Sequence, residues 1–159
     1  MPTSLDAPGA RLLRLWRWLS PLPGGDWLFS TILGFMVPYT GSIHPRVRFL
    51  EPGHARVELR DRRRLRNHLR SVHAIALTNL GEVTGGLAML VGLPPTVRGI
   101  VTGLSIEFHK KARGTLTAES VVTIPEVTAP CEHQARASIR DQQGEVVAEA
   151  TVRWRLAPA

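Results

Sequence analysis

The sequence predicts an α+β domain in which one antiparallel sheet wraps around a single long helix. Three observations carry this. Residues 72–91, from Val72 to Val91, run with Glu82 as their one acidic or basic residue after His73, and hold Gly81, Gly85 and Gly86. That length argues helix, and the missing polar face argues burial nearly all round. Beyond Pro94-Pro95 the chain alternates apolar and polar residues, the period of strands, and a hairpin pattern precedes the helix. Strands on both sides of one helix in the sequence make a sheet packed on that helix. With 159 residues the chain suits one domain and is too short for two comfortable ones.

Taken in order, the first element is a helix through Leu12-Leu13-Arg14-Leu15-Trp16-Arg17-Trp18-Leu19. Arg11, Arg14 and Arg17 stand at i, i+3 and i+6 and line one side, with leucines and tryptophans on the other. These arginines also break the apolar core that a secretory signal needs. The helix is expected to pack on its own domain. The alternative is peripheral contact between this N-terminal helix and an anionic membrane surface. Pro21, Pro23, Gly24 and Gly25 separate it from a second apolar run, Trp27 to Val37. A bilayer span needs roughly 20 residues, so this run is too short to cross. Asp26 is placed to cap it and Pro38 to end it.

Arg46–Leu50 and Ala55–Leu59 read as strands joined by the turn Glu51-Pro52-Gly53-His54. A very basic segment, Arg60 to Arg70, leads into the long helix. Its three glycines each cost a helix ~1 kcal/mol relative to alanine, which points to close packing against another backbone. After the helix, Val122 and Ile124 share a strand face with Leu116, Ala118 and Ser120. The last strand sets Val146, Ala148, Ala150, Val152, Trp154 and Leu156 on one face, and Asp141-Gln142-Gln143-Gly144 turns it back on Ala135–Arg140. Residues 1–40 are therefore expected to form a helical extension and residues 41–159 the main domain.

The net charge of +7, from 20 Lys and Arg against 13 Asp and Glu, calls for an anionic partner without choosing one. An apolar fraction of 43% excludes a disordered chain. Cys131 is the single cysteine, which excludes an intrachain disulfide framework and a cysteine zinc site and suits a reducing, cytoplasmic location.

The chemistry centres on Asn67, His73 and Glu82. A lone carboxylate in an apolar helix is costly unless it has partners or a task. On a helix, the nine residues from His73 to Glu82 amount to ~13.5 Å of rise and two and a half turns, which puts them on opposite sides. If both are catalytic, the site is shared between subunits, so the spacing predicts a dimer.

The stretch Asn67 to Ala88, with Gly103-Leu104-Ser105-Ile106-Glu107-Phe108-His109-Lys110-Lys111-Ala112-Arg113-Gly114-Thr115-Leu116-Thr117-Ala118, resembles the hotdog-fold acyl-CoA thioesterases. Within them it is most similar to the branch that includes the phenylacetate-pathway thioesterase and its little-characterised bacterial relatives. That branch has an Asn, a His six residues on and an acidic residue nine further. The resemblance spans Gly41 to Leu156 and implies a homodimer or tetramer hydrolysing acyl-CoA or acyl-carrier-protein thioesters. It implies Glu82 as nucleophile or general base, and Asn67 and His73 as groups orienting the thioester or the water. The backbone N–H groups of Ala74 and Ile75 would form the oxyanion hole, and Thr102 is a candidate for holding water. No metal and no cofactor are implied beyond the coenzyme A of the substrate. The branch carries glycines after its His, where this chain has Ala74 and Ile75, and commonly Asp where it has Glu82.

Three other readings compete. A hotdog dehydratase would show a longer His-to-acid spacing with a Pro-Gly pair between, which this chain lacks. A non-catalytic acyl-CoA-binding hotdog protein would tolerate Ala74-Ile75. A nucleic-acid binder would need aromatics among its arginines for stacking, and none interleave here. Arg62, Arg63, Arg64, Arg66 and Arg70, with Lys110, Lys111 and Arg113, are instead expected to meet the phosphates of coenzyme A.

Overall fold

The computed structural model describes residues 7–159. Its elements run α1 (Pro8–Leu19), α2 (Gly25–Met36), a one-turn α3 (Pro38–Gly41), β1 (Arg46–Glu51), β2 (His54–Arg60), a 3-10 turn (Arg63–Leu65), α4 (Ala74–Leu90), β3 (Val97–Phe108), β4 (Thr115–Val121), β5 (Cys131–Arg140) and β6 (Val146–Pro158). The six strands form one sheet in the order β1-β2-β4-β5-β6-β3, and every neighbouring pair is antiparallel. The sheet curls around α4, which touches all six strands.

Alternation decides which face of each strand meets α4. Leu116, Ala118 and Ser120 of β4 and Ala148, Ala150, Val152, Trp154 and Leu156 of β6 are buried, and the residues between them are half-buried or exposed. The Asp141–Gly144 turn forms as expected: Gly144 sits at φ 80°, and Asp141 Oδ1 accepts from Gln143 N and Glu145 N. α4 is buried almost all round because its small residues meet the sheet directly. A Cβ added at Gly81 would lie 2.4 Å from Ala150 Cβ, and one at Gly85 3.2 Å from Val152 Cγ2. Both glycines therefore serve packing inside the chain, against sheet side chains, and give no support to a second subunit.

Two expectations need correction. Asp26 is not the cap of α2: that position is Gly24, at φ 73°, and Asp26 lies in the first turn. Its carboxylate instead holds Arg46 (2.9 Å) and Arg48 (2.7 Å). Arg46 first, then Arg48 and the Trp27 N–H, pull its pKa down to about 2. As expected, Pro38 ends α2, whose last residue is Met36, and it also opens α3, where its missing N–H would be unpaired anyway. β4 stops at Val121, short of Val122 and Ile124. Val122 N still donates to Gly53 O at 2.8 Å, and Pro125, which has no N–H, bars the ladder beyond.

α1 turns Leu12, Trp16 and Leu19 into the core, where Trp16 meets the edge of Phe29 at 5.2 Å between ring centres. Its apolar face is thus covered, and Arg11, Arg14, Arg17 and Trp18 remain outside. No helix among the described residues is long and apolar enough to cross a membrane.

Candidate active site

The first turn of α4 and the loop before it form one constellation. Asn67 folds this loop. Its Oδ1 accepts from Leu69 N (2.9 Å), Ser71 N (3.3 Å) and Ser71 Oγ (3.2 Å), and its own N–H donates to Ser71 O (2.8 Å). The turn it encloses forces Arg70 to φ 55°, a left-handed backbone that is strained for a residue other than glycine. With Oδ1 fully engaged, the Asn67 amide NH2 has no partner among the described residues.

His73 is the N-cap of α4, and its Nδ1 accepts the Ile75 N–H at 3.1 Å. The acceptor role makes Nδ1 the unprotonated nitrogen and leaves the proton on Nε2. Of the two expected oxyanion donors, Ile75 N–H is therefore held by His73. Ala74 N–H is one of the first helical amides, which have no intrahelical acceptor. It points along the positive end of the helix dipole. A cavity of about 270 Å³ opens here, lined by Asn67, Ser71, Ala74, Leu77, Phe108 and Lys111 among others.

Glu82 lies elsewhere, half-buried in the middle of α4. Its Oε1 hangs over Gly86: a Cβ there would sit 3.5 Å from it and 4.0 Å from the Trp154 ring. Glu82 has no hydrogen bond or ion pair among the described residues. Burial without a partner pushes its pKa up. The indole N–H of Trp154 is also buried without a partner, on the same side of that glycine. Thr102 is at a bulge in β3, where the pairing with β6 shifts between Val101 and Gly103. Its hydroxyl donates to Arg153 O at 3.4 Å. Within one chain, then, Asn67, His73 and Ala74 come together, while Glu82 stands apart on the helix.

The basic residues divide. Lys110 is neutralised by Asp141 and Glu145, Arg66 by Asp61 (2.7 Å), and Arg113 donates to Leu69 O (3.2 Å). Arg62, Arg63, Arg64, Arg70 and Lys111 form no ion pair among the described residues. Of these, Lys111 faces the cavity at Asn67 and Arg62 faces a different one. One trio that the sequence spacing does not disclose is Glu107, His109 and Glu149, whose ligating atoms lie within 4.8 Å of one another. β3–β6 pairing sets Glu107 opposite Glu149, and His109 Nε2 meets Glu149 at 2.9 Å. All three are exposed, and the His109–Glu149 contact by itself accounts for the arrangement.

Solved structures share this architecture. A structural-genomics protein superposes with a TM-score of 0.82 at 25% identity, covering 94% of this chain and 100% of its own. A Pseudomonas aeruginosa protein of unknown function, named a probable thioesterase, gives 0.75 at 25% identity over 87% of this chain and 97% of its own. A thioesterase family protein from Silicibacter pomeroyi gives 0.69 at 16% identity over 82% and 96%. The fold is the hotdog fold of such thioesterases. No curated protein matches the chain. In sequence, residues 25–156 match the family described as "Domain of unknown function (DUF4442)".

Proposed function

The chain belongs to the DUF4442 family, and from that premise we propose that it hydrolyses acyl-CoA or acyl-carrier-protein thioesters at sites shared between two subunits. The observation that carries the proposal is Glu82: a carboxylate half-buried on an apolar helix, unpaired among the described residues, with its pKa raised by burial. Such a group is a stronger base than an exposed glutamate and is poised nearer neutral pH. As a base it would take a proton from water. The hydroxide would add to the thioester carbon, and the C–S bond would break. The thiolate would leave with the proton returned by Glu82. As a nucleophile, Glu82 would itself add to the carbon and expel the thiolate, and water would cleave the resulting anhydride. Either route builds negative charge on the carbonyl oxygen, which the Ala74 N–H at the head of α4 is suited to receive.

The partner chain supplies what one chain lacks. Asn67, His73 and Ala74 of one subunit need a carboxylate, and Glu82 of the same subunit faces the other side of its helix. β3 supports the pairing, since it is an edge strand of 12 residues that exposes Ile100, Val101, Leu104 and Phe108. Lys111, Arg70, Arg63 and Arg64, which form no ion pair among the described residues, supply cations for the coenzyme phosphates or an acidic carrier protein. The likeness to the phenylacetate-pathway branch rests on the Asn67–His73–Glu82 spacing. A cytoplasmic setting suits the free thiol of Cys131.

A non-catalytic acyl-CoA-binding protein is the second reading, favoured by one observation: His73 already holds the Ile75 N–H, which takes away one oxyanion donor. Thiol release from a panel of acyl-CoAs separates the two. The proposal expects turnover that Glu82→Ala abolishes. Protonated Glu82 is inactive, so the acid limb of the rate profile should lie above the ordinary glutamate range. Binding without turnover at every chain length would favour the second reading.

A further inference from the structure

A second cavity lies away from Asn67, His73 and Glu82, none of which lines it. It measures about 360 Å³ and opens between α2 and the β1–β2 end of the sheet. One wall is the outer stripe of α2: Trp27, Thr31 and Phe35, one turn apart. α2 is apolar on both sides. Phe29 and Leu33 are buried, whereas Trp27 and Phe35 are 59% and 81% exposed. A helix apolar all round is normally covered all round. The opposite wall is cationic, made by Arg46, Arg60 and Arg62.

The charges on that wall do not cancel. Asp26 and Glu58 share Arg46, Arg48 and, at 3.8 Å, Arg60, while Arg62 has no anion among the described residues. In the lining itself, three arginines, Arg46, Arg60 and Arg62, thus face one carboxylate, Glu58. The floor is backbone: a Cβ on Gly41 would lie 2.4 Å from Gly34 O, so two glycines let the chain touch itself there and leave the space above open. His44 forms the rim at φ 50°, a strained setting for a residue other than glycine.

We propose that this cavity binds an organic carboxylate with an apolar tail, its head on Arg60 and Arg62 and its tail along Trp27 and Phe35. The guanidinium fork matches two carboxylate oxygens. Glu58, in the same lining, opposes a doubly charged phosphate ester and so selects the single charge. The size is that of a small-molecule site, roughly 300 Å³ or more. Thioester hydrolysis is not required for it.

Calorimetric titration of the full chain with decanoate, decanol and acetate tests the proposal. Decanoate should bind, with decanol and acetate at least ~10-fold weaker, a difference of about 1.4 kcal/mol. Arg62→Ala removes the free cation, and Thr31→Phe fills the cavity from an accessible face of α2. Each should weaken decanoate at least ~10-fold with an unchanged melting temperature. Glu82→Gln should leave decanoate affinity unchanged whether or not it abolishes hydrolysis, which separates this site from the proposed one. Absence of decanoate binding, equal binding of decanol, or affinity untouched by both Arg62→Ala and Thr31→Phe would overturn the proposal. So would loss of binding in Glu82→Gln.

Discussion

The two edges of the sheet are finished differently. β1 is 6 residues long and lies beneath α2, whose Ser30 hydroxyl accepts the Val47 N–H at 2.8 Å and whose Phe29 is fully buried. β3 is 12 residues long, pairs only with β6 among the described strands, and leaves Ile100 64% exposed. A short edge under a helix is closed within the chain. A long apolar edge with unpaired backbone groups is a template for another strand. The chain covers one edge with its own N-terminal helices and leaves bare the edge that the proposed shared site requires.

The largest effect is expected at the bare edge. Leu104→Lys sets a charge on β3 and should convert a dimer into a monomer by light scattering. Hydrolysis should fall by roughly 10²-fold or more as the shared constellation separates. A persistent dimer would break the comparison, because β3 would not be the interface. At the covered edge, Phe29→Ala should cost about 3–5 kcal/mol in chemical denaturation, the usual cost of a buried aromatic, and leave assembly intact. A change of subunit number there would show that the two edges are not independent. Ser30→Ala is the mildest. It strands the buried N–H of Val47 and should cost ~1–3 kcal/mol in the same experiment.

Much of this is legible in the sequence because it depends on local period. The alternation from Val146 to Leu156, the Asp141–Gly144 turn and the buried run from Val72 to Val91 each name their structure without reference to distant residues. What the sequence conceals depends on partners far along the chain. Asp26 reads as a cap until β1 brings Arg46 and Arg48 to it. Gly81 and Gly85 read as a surface for another backbone until β6 brings Ala150 and Val152 over them. The site divides the same way. The Asn67–His73 loop is local, and its spacing announces it. The bond from Ile75 N–H to His73 follows from the capping geometry rather than from residue type. The Trp154 indole beside Glu82 comes from a strand more than seventy residues away and leaves no mark on the spacing. The cavity between α2 and Arg62 is invisible for the same reason, since its walls meet only in the fold.

The central claim is that each site combines Asn67 and His73 of one subunit with Glu82 of its partner. Subunit complementation measures this most directly. His73→Ala and Glu82→Ala, each inactive alone, are co-expressed, and the mixed dimer is isolated and assayed for thiol release. A shared site predicts that the mixed dimer regains hydrolysis, because one of its two sites holds neither substitution. A mixed dimer as inactive as its parents, with its composition verified by mass, would place all three residues in one subunit's site and contradict the account.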